Sequence, residues 1–151
     1  METVNQIPEL KPHPIQLVRI AVLNFRFNAN KALGFNENYT LNTALKIRHS
    51  EFNEELKIIS VDVKAEVGSL EENIPFLLEC EIRGIFKVDT NIFPSESLNK
   101  WAEENAPLLL MPFLREHIYA ASLRAGLNPI LLPLFHLPVF IKENNIKTTN
   151  P

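Results

Sequence analysis

The sequence predicts an α+β fold: a four-stranded antiparallel sheet with one long helix packed on one face, assembled into an oligomer. Three observations predict it. Four segments between residues 15 and 88 alternate apolar with polar residues, the period of half-buried strands. The stretches between them are turn-rich, which implies an antiparallel meander. Residues 105–133 then change to three- and four-residue apolar spacing, the period of a helix, and that helix is apolar around more of its girth than one sheet can cover.

Taken in order, residues 1–14 carry Pro8, Pro12 and Pro14 among polar residues and read as a flexible arm. From Ile15 to Phe27 the pattern is strand-like but changes phase. Leu23, Phe25 and Phe27 alternate with Asn24, Arg26 and Asn28, whereas Ile20 and Val22 put apolar groups on the other parity. A bulge accounts for this, and so does a partner subunit. Residues 28–38 form a turn-rich loop containing Gly34, with Leu33 and Phe35 its bulky apolar groups. Tyr39, Leu41, Thr43, Leu45 and Ile47 alternate as a second strand. Ile59, Val61, Val63, Ala65 and Val67 form a third, with Leu56 and Ile58 in opposite phase, so a bulge is expected near 58–59. In the fourth, Phe76, Leu78, Cys80, Ile82, Phe86 and Val88 face one way and Leu77, Glu79, Glu81, Arg83 and Lys87 the other, with Gly84 where a bulge would sit.

A short helix is expected over 94–104, capped by Ser95 and anchored by Trp101. Asn105 and Pro107 suit the entry of the long helix, and Gly126 suits its left-handed end, with Pro129 preventing a restart. Pro112 predicts a late start or a kink. Leu110, Met111, Leu114, Ile118, Ala121 and Ala125 make one apolar face; Leu109, Phe113, Tyr119 and Leu123 make a second. A helix of this kind is buried on two sides. The apolar segment 127–141, broken by Pro129, Pro133 and Pro138, reads as extended chain packed on a surface, and 142–151 as a disordered tail. The domain therefore spans 15–141.

Composition excludes several functions. The net charge of −3 argues against non-specific nucleic-acid binding. The single cysteine, Cys80, excludes an internal disulfide and a Cys-rich zinc site and fits the cytoplasm. No apolar run is long enough to span a bilayer, and no signal peptide is apparent, so no direct membrane insertion is expected. Phosphate loops, nucleophile elbows and zinc spacings are absent from the sequence, and His13, His49, His117 and His136 are scattered. Arg115 and Glu116 point about 100° apart on a helix and cannot act on one atom. No cofactor, metal or catalytic residue is called for.

The segment NAPLLLMPFLREHIYAASLRAGLNPILL at 105–132, preceded by FLLECEIRGIF at 76–86, resembles SecB, the bacterial protein-export chaperone. Pro107, Pro112, Arg115, Glu116, Ile118, Arg124 and Gly126 carry the likeness without a gap. The resemblance implies a SecB-like ATP-independent holdase that keeps unfolded or preprotein clients translocation-competent, with no enzymatic activity. It places Phe35, Tyr39 and Leu41 where the family lines its client groove. It also places Leu77 and Glu79 where a Leu-x-Glu before G-I-F docks the motor SecA. In SecB, first strands pair across a dimer and helices lie between two dimers' sheets. A homotetramer, a dimer of dimers, is thus expected, with Ile20, Val22, Phe113 and Tyr119 at subunit contacts.

The chain departs from the family in two places. Asn24 and Asn28 stand where acidic SecA contacts lie, and HLPVFIKENNIKTTNP replaces a longer helix and acidic tail. These departures favour a chaperone dedicated to one client, such as the antitoxin of a toxin–antitoxin–chaperone system. A small-ligand carrier using a groove between helix and sheet is the remaining reading, and it requires a convergent polar cluster that the sequence does not offer.

Overall fold

The computed structural model describes residues 8–30, 42–69 and 76–134. Four strands form one antiparallel sheet: β1 (Ile15–Ala29), β2 (Thr43–His49), β3 (Ile58–Gly68) and β4 (Phe76–Val88), in the order β1-β4-β3-β2. The expected simple meander holds for β2-β3-β4 only. β1 pairs with β4, on the far side of the sheet from β2. β1 pairs with β4 along nearly the whole of both strands, which leaves β4 an inner strand and β1 an edge.

The mixed phase of the first strand is resolved by two register shifts on β1, between Leu17 and Arg19 and between Val22 and Asn24. Each inserts one residue, Val18 and then Leu23, and so resets the alternation. As a result Ile15, Leu17, Ile20, Val22, Phe25 and Phe27 all oppose the inward-facing residues of β4. The other two expected bulges do not form. β3 keeps an unbroken register with both neighbours, and the phase change before it is a tight turn in which Lys57 adopts φ 58° and the Leu56 N–H donates to Asn53 Oδ1 at 2.8 Å. Gly84 lies in regular ladders on both sides. Its role is close approach: a Cβ there would stand 2.6 Å from Leu110 Cδ2.

A 3₁₀ turn at Ser95–Ser97 leads into α1 (Leu98–Glu104), and α2 follows at Ala106–Arg124. Ser95 makes no capping bond; the Ser97 N–H donates to the Pro94 carbonyl instead. Trp101 does anchor α1, with its ring edge-on to Phe86 at 5.0 Å. His49 Nε2, 3.3 Å from Glu103 Oε1, ties the end of β2 to the same helix. α2 begins at Ala106 despite Pro112, so the expected late start does not occur. Pro112 lies on the exposed side, where water can serve the carbonyl its ring leaves without a donor. The far end is a Schellman motif: Gly126 at φ 77°, its N–H donating to Leu123 O, and Leu127 N–H donating to Ser122 O.

Leu110, Leu114, Ile118 and Ala121 of α2 bury against the sheet over β3 and β4, where Val61, Val63, Ile82 and Phe86 are fully enclosed. Each buried Leu, Ile, Val or Phe among these stabilises the fold by roughly 1.5–3 kcal/mol before entropy is counted. Beyond Gly126 the chain packs as extended segment, with Leu127 and Leu132 buried and the Ile130 N–H donating to Ser122 Oγ at 2.9 Å.

Candidate functional site

The side of α2 opposite the core is uncovered and, apart from Glu116, apolar. Leu109, Phe113, Tyr119 and Leu123 are exposed, and Leu108 beside them is exposed too. These are the residues whose spacing predicted a second buried side. Helical geometry turns Leu109, Tyr119 and Leu123 away from Leu110, Leu114 and Ile118, with Phe113 at the margin, so one sheet cannot cover both sets. β1 adds to this surface. It is an edge strand, and α2 packs over β3 and β4, so Val22 and Phe25 stay exposed although they belong to the helix side of the sheet. Ile20 is half-buried.

Where the start of β1 meets the start of α2, a groove of about 610 Å³ opens. Ile15, Leu17, Trp101, Leu108, Leu109 and Phe113 line it. Its polar groups, His13, Gln16 and Asn105, do not converge on a ligand: His13 Nδ1 accepts the Ile15 N–H at 3.0 Å and Gln16 Nε2 donates to the His13 carbonyl. Among the described residues, no group of three or more His, Cys, Asp and Glu side chains is arranged to hold a metal. No helix there is long and apolar enough to cross a membrane. Close to the exposed helix face, Arg115 Nε is shielded from solvent and has no hydrogen-bond partner.

The opposite face of the sheet is charged, and its order follows from strand register. One row across it runs Arg48–Asp62–Arg83, the next Lys46–Lys64–Glu81–Asn24, the next Glu66–Glu79–Arg26. Asp62 is buried between its two arginines, accepting from Arg48 Nε at 2.8 Å and from Arg83 Nε and Nη2 at 2.7 and 2.9 Å. That hydrogen-bonded carboxylate raises the Arg83 pKa above its usual value. Arg48 Nη2 also reaches Glu81 at 3.1 Å. Burial pushes the Glu66 carboxyl upward, but hydrogen bonds and charge from Lys46 and Lys64 outweigh it and hold the pKa below the usual carboxylate value.

The sequence-derived site residues therefore fall into three groups. Ile20, Val22, Phe113 and Tyr119 stand at the surface left apolar by α2 and β1. Leu77 and Glu79 do face outward on β4, half-buried, with Glu79 beside Arg26 (3.8 Å), Lys64 (3.9 Å) and Asn24 Nδ2 (3.5 Å). Phe35, Tyr39 and Leu41 lie outside the described residues. Sequence reasoning missed Leu108 and Phe25 as surface groups, and it missed the Arg48–Asp62–Arg83 row. The alternating charges of β3 and β4 hinted at such a row, but only the register shows which charges meet.

Comparison with known proteins bears on this geometry. The model of a family described as preprotein translocase subunit SecB matches residues 12–138. Protein-export protein SecB 2 of Polaromonas naphthalenivorans is 30% identical over 95 residues, 62% of this chain and 56% of that protein. Protein-export protein SecB of Thiobacillus denitrificans is 30% identical over 86 residues, 56% of this chain and 53% of that protein. The chain thus spans about half the length of the curated relatives it matches. Among solved structures, the Mycobacterium tuberculosis Rv1957 SecB-like chaperone, in complex with a ChAD peptide from the Rv1956 HigA1 antitoxin, superposes with a TM-score of 0.68. It is 16% identical, and the match covers 81% of this chain and 91% of that one. At that identity the likeness is one of fold.

Proposed function

Because this chain belongs to the SecB family, we propose that it acts as an ATP-independent holdase in the cytoplasm, burying apolar segments of unfolded clients without catalysis. The observation that carries this reading is the apolar surface α2 and β1 leave uncovered, with the groove at its edge. A holdase needs such surface twice, to join subunits and to hold clients. Leu109, Phe113, Tyr119, Ile20 and Val22 serve the first use in a homo-oligomer, a dimer of dimers. Phe35, Tyr39 and Leu41, with the part of the groove lined by Ile15, Leu17 and Leu108, serve the second. Covering ~1,000 Å² of client at ~25 cal/mol per Å² offers tens of kcal/mol before large entropic offsets, so binding is tight and tolerant of sequence. Suppression of light scattering by a denaturant-diluted client tests it. Phe35→Ser should weaken protection severalfold, and unchanged protection would remove Phe35 from the client site.

On the export reading, Leu77 and Glu79 present the chaperone to SecA. A specific observation favours a second reading, a chaperone dedicated to one client such as an antitoxin. The Glu79 charge is answered within the sheet by Arg26 and Lys64, and Asn24 and Asn28 add no acid beside it. Docking that depends on charge is weakened by such internal pairing. Titration with SecA separates the two: salt-sensitive binding lost in Glu79→Gln supports export, and absence of binding supports the dedicated client.

A further inference from the structure

We propose that the outer face of the sheet is a docking surface for an extended acidic segment of a partner protein, engaged by Arg26, Arg48 and Arg83. In each of their ion pairs the arginine is the partner that meets solvent. The Arg26, Arg48 and Arg83 side chains are 49%, 59% and 39% exposed, whereas Glu79, Asp62 and Glu81 beneath them are 13%, 3% and 17% exposed. Every carboxylate in these pairs is less exposed than the guanidinium it meets. An approaching molecule meets cations, even though the chain as a whole carries a net charge of −3.

The arginines also keep donors in hand. A guanidinium has five N–H groups in a rigid fork. Arg83 uses two of its nitrogens on Asp62, and Arg48 uses one on Asp62 and one on Glu81. The remaining N–H groups are free to take a carboxylate, the acceptor their fork fits. Register sets the spacing, because Arg48 and Arg83 flank Asp62 on adjacent strands and so stand about 10 Å apart. A peptide extended as polyproline II, with three residues per turn, places carboxylates three residues apart on one side at a similar distance. A polynucleotide fits less well, since its closely spaced phosphates would also meet the acids lying between these arginines.

This surface is on the opposite side of the sheet from the proposed client groove, so the two readings are tested separately. The experiment is fluorescence anisotropy with a short dye-labelled Glu/Ser peptide, against a Lys/Ser peptide and a single-stranded oligonucleotide of equal length. The Glu/Ser peptide should bind best at low ionic strength and weaken by at least roughly tenfold in about 0.5 M salt. Arg26→Gln with Arg48→Gln should reduce affinity by roughly tenfold, and Arg26→Lys with Arg48→Lys should restore much of it. Phe35→Ser should leave it unchanged. Salt-insensitive binding by the native chain, undiminished binding by a folded double-Gln variant, or tighter binding of either comparison probe would overturn the proposal. So would an absence of binding by the Glu/Ser peptide.

Discussion

Gly84 and Cys80 lie four residues apart on the buried face of β4, with Ile82 between them. At Gly84 the nearest obstacle to a side chain is the tip of Leu110, with Phe86 at 3.0 Å behind it. Gly84→Ala should therefore destabilise by about 1–3 kcal/mol through overpacking, and by less in a Leu110→Ala background; equal losses in both backgrounds, measured by denaturant unfolding, would place the strain elsewhere. The sequence marks Gly84 as special, but as a bulge, because the helix that crowds it is remote in the chain. Cys80 is fully buried, and burial first, then the Glu81 charge, pushes its thiol from 9.0 up to about 11. A folded pKa above the unfolded value means the contribution is complete below pH 9.0 and is lost as pH rises through about 11. Two units set an upper bound of about 3 kcal/mol. Alkaline denaturation between those values should be blunted in Cys80→Ala, and the native thiol should resist thiol reagents at pH 8 or so.

At the scale of elements, β1 and α2 share one trait: each carries more apolar surface than its own sheet can use. For α2 this was legible in the sequence, since Leu109, Phe113, Tyr119 and Leu123 repeat at helical spacing beside a complete core stripe. For β1 the surplus was legible and its form was not. Periodicity showed a phase conflict; only pairing with β4 reveals that two inserted residues turn Ile20, Val22 and Phe25 to the same side. Strand order was illegible for a related reason. Alternation defines the faces of a strand but not its neighbour, and only the ladder shows β1 on β4. If the exposed helix face joins subunits, Phe113→Asp should shift the assembly to smaller species while leaving far-UV circular dichroism intact, because Phe113 is outside the core. An unchanged mass would assign that face to clients instead.

Considered whole, the molecule divides its labour between the two faces of one sheet. The inner face holds the core and, past the edge of α2, an apolar surface with a groove. The outer face carries paired charges ordered by register, its acids beneath its arginines. The family and the α+β architecture could be read from residues 76–132, because that stretch combines a strand, a capped helix and prolines at fixed spacing. The basic character of the outer face could not, because Glu79 and Glu81 look acidic until Arg26 and Arg48, distant in sequence, are laid over them.

The central claim is that the uncovered apolar surface first joins copies of this chain and then holds an unfolded one. Size-exclusion chromatography with light scattering, with and without a denaturant-diluted, slow-folding client, tests it most directly. The expected result is a tetramer mass that rises by one client when the client is present. A monomer that leaves the client to aggregate would contradict it.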